Sequence, residues 1–342
     1  MGEMRKIFAI ILAASLILAG CSRNDAEKVA ISLAATPASV STRVVDDIVQ
    51  DALFDNGEQV DVFVTDLTGS AVYAQPQIYT AGGPTAVGSV TGNILETTPQ
   101  QFYPRGSVSI RAYYPHGIAG TSDTGIETFT VAADQTAIAD YKASDLMAAA
   151  VASQSPTSSA VNLPFSHKMA RMAVYVENMT GFDQDDIVSI KLAARRKADL
   201  DKETLTTTLT SAGNDVEDVT LVGAGGRLGA CIVPPQMMAA TAGTSGYLIK
   251  VEVNNGGTTQ NLYYRNAAPL DMMEGNTYLV RLKCSTAVIT GYTTPVAAWG
   301  TPSTDKELLG ELLKLIEGTA TITPYTDGTG TSAGLEWYAA GE

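Results

Sequence analysis

The strongest constraint in this chain is its rhythm of short alternating segments cut apart by turn residues. Gln59–Asp66 (QVDVFVTD) puts Val60, Val62 and Val64 on one face, and Ser107–Pro115 repeats the pattern through Val108, Ile110, Ala112 and Tyr114. Clusters of Gly, Pro, Thr and Ser, such as 81–84 and 117–125, separate such runs. After a polar break at Ala152–Ala160 (ASQSPTSSA) the rhythm resumes in Lys168–Asn178, Asp186–Ala194, Leu200–Leu209, Asp218–Val222, Arg227–Val233, Tyr247–Asn254, Asn261–Arg265 and Thr277–Ser285. Short strands at close spacing predict an all-β chain of antiparallel sandwiches. No strand–helix alternation appears, so a parallel α/β fold is excluded. One convincing helix is predicted, at Asp305–Glu317, with a capping box at Thr304 and Glu307 and a stop at Gly318.

The chain of 342 residues divides into five expected parts. Residues 1–20 read as an export signal: Arg5 and Lys6 precede an apolar run too short to span a bilayer. The run ends in Leu18-Ala19-Gly20-Cys21, which looks like a bacterial lipoprotein box, so Cys21 is the expected lipidation site and lipid the expected tie to the outer membrane. Residues 21–43 are an N-terminal pro-segment, 44–157 and 158–300 two β-sandwich domains, and 301–342 a helix followed by terminal strands.

Composition removes several function classes. The net charge of −14 leaves no basic footprint for nucleic acid. Two His and three Cys supply little for a zinc site or a His-driven catalytic site, and no cofactor or metal is expected. His116 lies in a turn and His167 at a strand start. Ser166 adjoins His167 along a strand and so points away from it, and no nucleophile elbow exists, so no catalytic residue is assigned. Asp183, Asp185 and Asp186 lack the Gly and distal Glu of a calcium loop. Gly223–Gly226 has no following helix or Lys and reads as a turn, and Arg195–Lys197 reads as a solvated strand end. Cys231 and Cys284 are small buried hydrophobes or, in an exported chain, a disulfide.

The lipobox, Asn56–Phe63 after Thr42-Arg43, Ser144–Met147, Leu163–Arg171 and the Glu274–Tyr278 turn together resemble the fimbrillins of Bacteroidales, the major and Mfa-like subunits of the type V pilus. The resemblance implies two transthyretin-like sandwiches in tandem, export as a lipoprotein, trimming by a protease, and polymerisation with other pilus subunits by donor-strand exchange. A non-polymerising surface lipoprotein that binds glycans through aromatics such as Tyr263 and Tyr264 is the alternative.

Against that background three expectations concern particular residues. A trypsin-like protease cuts between Arg43 and Val44, in an exposed Thr- and Ser-rich stretch. The cut frees Val29–Ala35, whose Val29, Ile31 and Leu33 form the displaced strand. The tail, Thr319–Glu342, supplies the donor strand, with Ile322 in Thr319–Tyr325, Leu335 and Trp337 in Leu335–Ala339, and Trp337 as the anchor; the alternative is a tail folded back on its own second domain.

Overall fold

The structure, a computed structural model, describes residues 28–37, 54–87, 90–181, 183–223, 227–285 and 289–298. The predicted helix at 305–317 lies outside them. The described chain is nearly all β, in agreement with the alternation of its sequence.

The first half is organised by β1 (Leu33–Pro37), β2 (Gln59–Asp66), β3 (Gln77–Val87), β4 (Val90–Glu96) and β5 (Val108–Tyr114). Then β6 (Ile126–Thr130) and one short helix, α1 (Ile138–Ala143), precede β7 (Met147–Gln154) and β8 (Val161–His167). Strands β1 to β5, β7 and β8 close into a barrel in the order β1-β4-β3-β2-β5-β7-β8. The predicted faces of β2 and β5 are the ones buried: Val60, Val62, Val64, Val108, Ile110 and Ala112 all fill the barrel core.

The expected domain border at 157/158 falls in the connection between β7 and β8, which pair with each other, so β8 completes the first sheet. Polar residues mark that connection because it is a surface turn.

In the second half, β9 (Ala170–Thr180), β10 (Ile187–Ala194), β11 (Lys197–Asp201), β12 (Thr206–Leu209), β13 (Glu217–Thr220), β14 (Leu228–Val233) and β15 (Gln236–Met238) come first. They are followed by β16 (Ile249–Asn255), β17 (Thr258–Tyr264), β18 (Leu270–Met272), β19 (Asn276–Ser285) and β20 (Ile289–Ala298). Two sheets, β14-β9-β19-β20 and β13-β10-β16-β17, enclose one apolar core built from Met172, Val174, Ile190, Leu192, Val251 and Val280.

Strand β9 is apolar on both faces for a structural reason. Met172, Val174 and Val176 face the sandwich core, while Ala173 and Tyr175 face a second cluster shared with Phe63, Tyr113 and Phe129 of the first half. Strand β6 also crosses over, pairing with β11 in a three-stranded sheet with β12. Among the described strands, pairing is antiparallel except at two places, β1 beside β8 and β19 beside β9.

Candidate strand-exchange site

Val29–Pro37 carries apolar residues at every second position, Val29, Ile31, Leu33 and Ala35, and this spacing gives it one buried row. The barrel receives that row between β4 and β8. Leu33, Ala34 and Ala35 lie opposite Leu95, Ile94 and Asn93 of β4, antiparallel, and opposite Val161, Asn162 and Leu163 of β8, parallel. Further backbone bonds extend the seam: Ile31 N–H donates to Gln101 O at 2.8 Å, Tyr103 N–H to Val29 O at 2.9 Å and Val161 N–H to Ser32 O at 2.9 Å.

Ile31 is 1% exposed and Leu33 0%, and Val29 packs at the margin of the same core. The apolar alternation read from the sequence is the row that the barrel buries. Its regular part is shifted towards Pro37 relative to the predicted Val29–Ala35. The shift arises because β8 offers ladder partners only from Val161 onward, level with Leu33.

Three residues of the site escaped sequence reading. Gly92 sits where an added Cβ would lie 2.5 Å from the carbonyl oxygen of Ala35, so only glycine lets β4 approach β1 this closely. Asn93, fully buried, accepts from the backbone N–H of Phe54 at 2.9 Å and donates to Phe54 O at 2.8 Å and Gly82 O at 2.7 Å. Phe54 packs its ring 5.0 Å from that of Phe165, edge on, and 5.1 Å from that of Tyr114. The only sequence signal was Gly92-Asn93, a pair that interrupts the alternation of β4. Beside them, the Glu58 carboxylate accepts from Tyr114 Oη at 2.9 Å and from the Asp55 N–H at 2.8 Å. Burial nevertheless raises the Glu58 pKa above the usual carboxylate value, and the same burial raises the Tyr114 phenol.

Cys21, Arg43, Val44, Ile322, Leu335 and Trp337 lie outside the described residues. The other candidates have structural roles. His167 Nδ1 lies 2.9 Å from the Asp145 carboxylate, whereas Ser166 Oγ faces the Ala148 carbonyl, so the two form no nucleophilic pair. His116 Nδ1 lies 2.6 Å from Asp61, whose burial on the outer face of β2 is satisfied by that contact and by the Gly117 N–H at 2.7 Å. Asp186 folds back on the Asp183 N–H at 2.8 Å, and no metal-binding group occurs among the described residues.

Arg196 bonds to Glu217 and to the Val131 carbonyl. Cys231 and Cys284 are free thiols. Cys231 is level with Met172 of β9 and Cys284 with Met179, seven residues along, about 23 Å apart on strand geometry, which rules out the disulfide. Tyr264 is buried, and Tyr263 is half-exposed with its ring 4.9 Å from that of Tyr247.

A two-part β protein whose barrel is closed by a strand antiparallel to one neighbour and parallel to the other is the class that fold and site define. Residues 42–299 match a family model described as fimbrillin-like, and the chain belongs to that family. A search of curated proteins gives no match.

Among solved structures, the chain is similar to a proposed cell adhesion protein from Bacteroides uniformis ATCC 8492, with a TM-score of 0.56 at 19% identity, covering 81% of this chain and 100% of that one. A second proposed cell adhesion protein, from Bacteroides ovatus ATCC 8483, gives a TM-score of 0.56 at 14% identity over 81% of this chain and 99% of that one. A fimbrial assembly protein from Parabacteroides distasonis ATCC 8503 gives 0.44 at 12% identity over 78% and 96%. As a fimbrillin-like protein the chain is a structural pilus subunit of the cell surface, associated with other pilus subunits, and not an enzyme.

Proposed function

We propose that this pilus subunit is exported as a lipoprotein through Cys21, cut by a trypsin-like protease between Arg43 and Val44, and polymerised by exchange of β1 for a strand from another subunit. The observation that carries this reading is the seating of β1. It pairs with the barrel on both sides, yet it is connected to β2 only through residues 38–58, which contain Arg43. A cut there leaves β1 held by non-covalent contacts alone. Its departure exposes the inner edges of β4 and β8 and the apolar row beneath Ile31 and Leu33. Burial of those two side chains contributes roughly 3–6 kcal/mol before the cost of ordering the strand, so an empty slot favours a new occupant. Strand addition restores both the ladder and the core. Head-to-tail insertion does not close on itself and produces a filament.

The donor in this reading is the tail, through Ile322 or through Leu335 and Trp337. The two bodies of the chain act as tandem transthyretin-like domains, joined to the outer membrane by lipid until trimming.

The decisive measurement is N-terminal sequencing of the polymer, which is expected to begin at Val44; polymer beginning at Cys21 refutes the trimming step. Labelling cells with a fatty-acid probe tests lipidation, and Cys21→Ser is expected to abolish the signal. Deleting residues 331–342 is expected to remove the ladder of heat-sensitive multimers on a gel.

The half-exposed Tyr263 ring, with the Arg265 guanidinium 5.7 Å from its centre, favours a second reading as a glycan-binding surface. Glycan pulldown that is lost in Tyr263→Ala, with no filaments on the cells, would support it over the first.

A further inference from the structure

The slot that holds β1 has three inward places, and they differ in kind. The first two carry large side chains, Ile31 and Leu33, and the third carries Ala35. Around the middle place the walls are side chains: Leu33 lies level with Leu95 and Val161. Aliphatic walls of this kind repack at modest cost.

The third place is different. Ala35 lies level with Asn93 on one side and Leu163 on the other. All the hydrogen-bonding capacity that Asn93 shows is spent on backbone, two bonds to Phe54 and one to Gly82. In pairing with both the N–H and the C=O of Phe54, the amide stands in for a neighbouring strand. The Phe54 ring in turn closes on Phe165, the residue level with Pro37. A larger side chain at the third place would press on the Asn93 amide, held by three hydrogen bonds, and through it on Phe54, held by two of those bonds and by two ring contacts. Phe54 lies after residues 38–53, so it remains with the barrel when β1 departs.

We infer that Phe54, clasped by Asn93, is the fixed stop of the strand slot, and that it sets the register of any incoming strand by requiring the inward order large, large, small. The inference rests on the strand-exchange reading above and adds a specificity rule to it. In the tail, Leu335-x-Trp337-x-Ala339 has this order, with Ala339 in the place of Ala35. Ala320-x-Ile322-x-Pro324 does not, and Pro324 would also remove a ladder donor.

The test uses the full chain cut at Arg43 by limited trypsin treatment and then challenged with fluorescent peptides, with binding read by anisotropy. Peptide 29–37 and peptide 333–341 are expected to bind. Peptide 29–37 carrying Ala35→Leu is expected to bind at least tenfold more weakly, and Phe54→Ala protein is expected to recover most of that loss. Peptide 318–326 is expected not to bind. Equal binding of the Ala35→Leu and unaltered peptides overturns the size rule, and binding of 318–326 as tight as that of 333–341 overturns the register assignment.

Failure of every peptide, 29–37 included, overturns strand exchange itself and is distinguishable from both. In that event the uncut chain still decides the rule. Ala35→Leu is expected to speed proteolytic loss of residues 29–37 while Ser32→Leu, on the opposite face, does not; equal rates refute the stop.

Discussion

Strands β1 and β19 each pair parallel with one neighbour and antiparallel with the other, yet they are held in opposite ways. Strand β19 runs through the middle of its sheet, between β9 and β20, and both its faces are buried: Val280 and Leu282 in the sandwich core, Leu279 against the first half. Strand β1 is also paired on both sides and its inward row is also buried, but its ladders are shorter, it closes a barrel at the join between β4 and β8, and residues 38–58 link it to β2. The comparison separates the depth of burial of a strand from its removability. Burial measures what the strand contributes, while topology decides whether the rest survives without it.

The largest expected effect tests that separation directly. Val280→Asp puts an unpaired carboxylate at the centre of the second half and is expected to destabilise the protein by about 4–5 kcal/mol or more, leaving little folded material. Leu33→Asp, at a position just as buried, is expected to expel β1 alone. Circular dichroism and limited proteolysis read the difference, and a similar global loss in both variants would break the comparison.

A milder change sharpens it. Leu33→Ala is expected to cost about 2–5 kcal/mol. Native-state hydrogen exchange should register the loss in the β4 and β8 amides and leave those of β9 and β19 as protected as before. Uniform loss of protection would mean that the two halves unfold together.

Gly92→Val is expected to cost about 1–3 kcal/mol, because its Cβ collides with the Ala35 backbone. The penalty should vanish in chain that has been cut and stripped of β1, where wild type and variant should melt together. A penalty that persists there would assign Gly92 to the barrel itself rather than to its closing strand.

The smallest effect is electrostatic and has opposite sign in the two halves. Glu252, on β16, is pushed up by burial, but bonds from Lys191 and Ser189 and the nearby Lys250 outweigh this and hold it below the usual value. Its contribution is present above the unfolded pKa, near 4.5, and is lost as pH falls through the lowered folded value. Glu58, in the first half, is raised by burial, so its ionisation penalises the fold as pH climbs through the raised value, and acid relieves that penalty. Each effect is expected to be below about 1 kcal/mol. Thermal melts across pH should show the advantage of wild type over Glu252→Gln shrinking in acid. A constant advantage would mean that the Lys191 contact contributes nothing through charge.

Several features of the fold and site were legible in the residues alone. The alternating rows of β2 and β5, the two apolar faces of β9, and the inward Ile31 and Leu33 all follow from the two-residue period of a strand. Other features were not. Asp61 occupies the polar side of an alternating strand and yet is buried, and its carboxylate is held by His116 and the Gly117 N–H, both more than fifty residues away in sequence. The short helix α1 has no side-chain cap and too few turns to show a period, so nothing local marks it.

The local rules of this chain were therefore written in its sequence: where strands start and stop, which row of each is apolar, and that Val29–Pro37 is fit to be buried. Which strands meet was decided by the tertiary structure. Strand β1 joins β8 across more than a hundred residues, β6 pairs with β11 in the other half, and Asn93 on β4 finds Phe54, 39 residues away, in the segment before β2. Side-chain alternation is a property of adjacent residues and can be read along the chain. Pairing depends on loop closure and on the complementarity of surfaces distant in sequence, and these acquire values only once the barrel and the sandwich have formed around them.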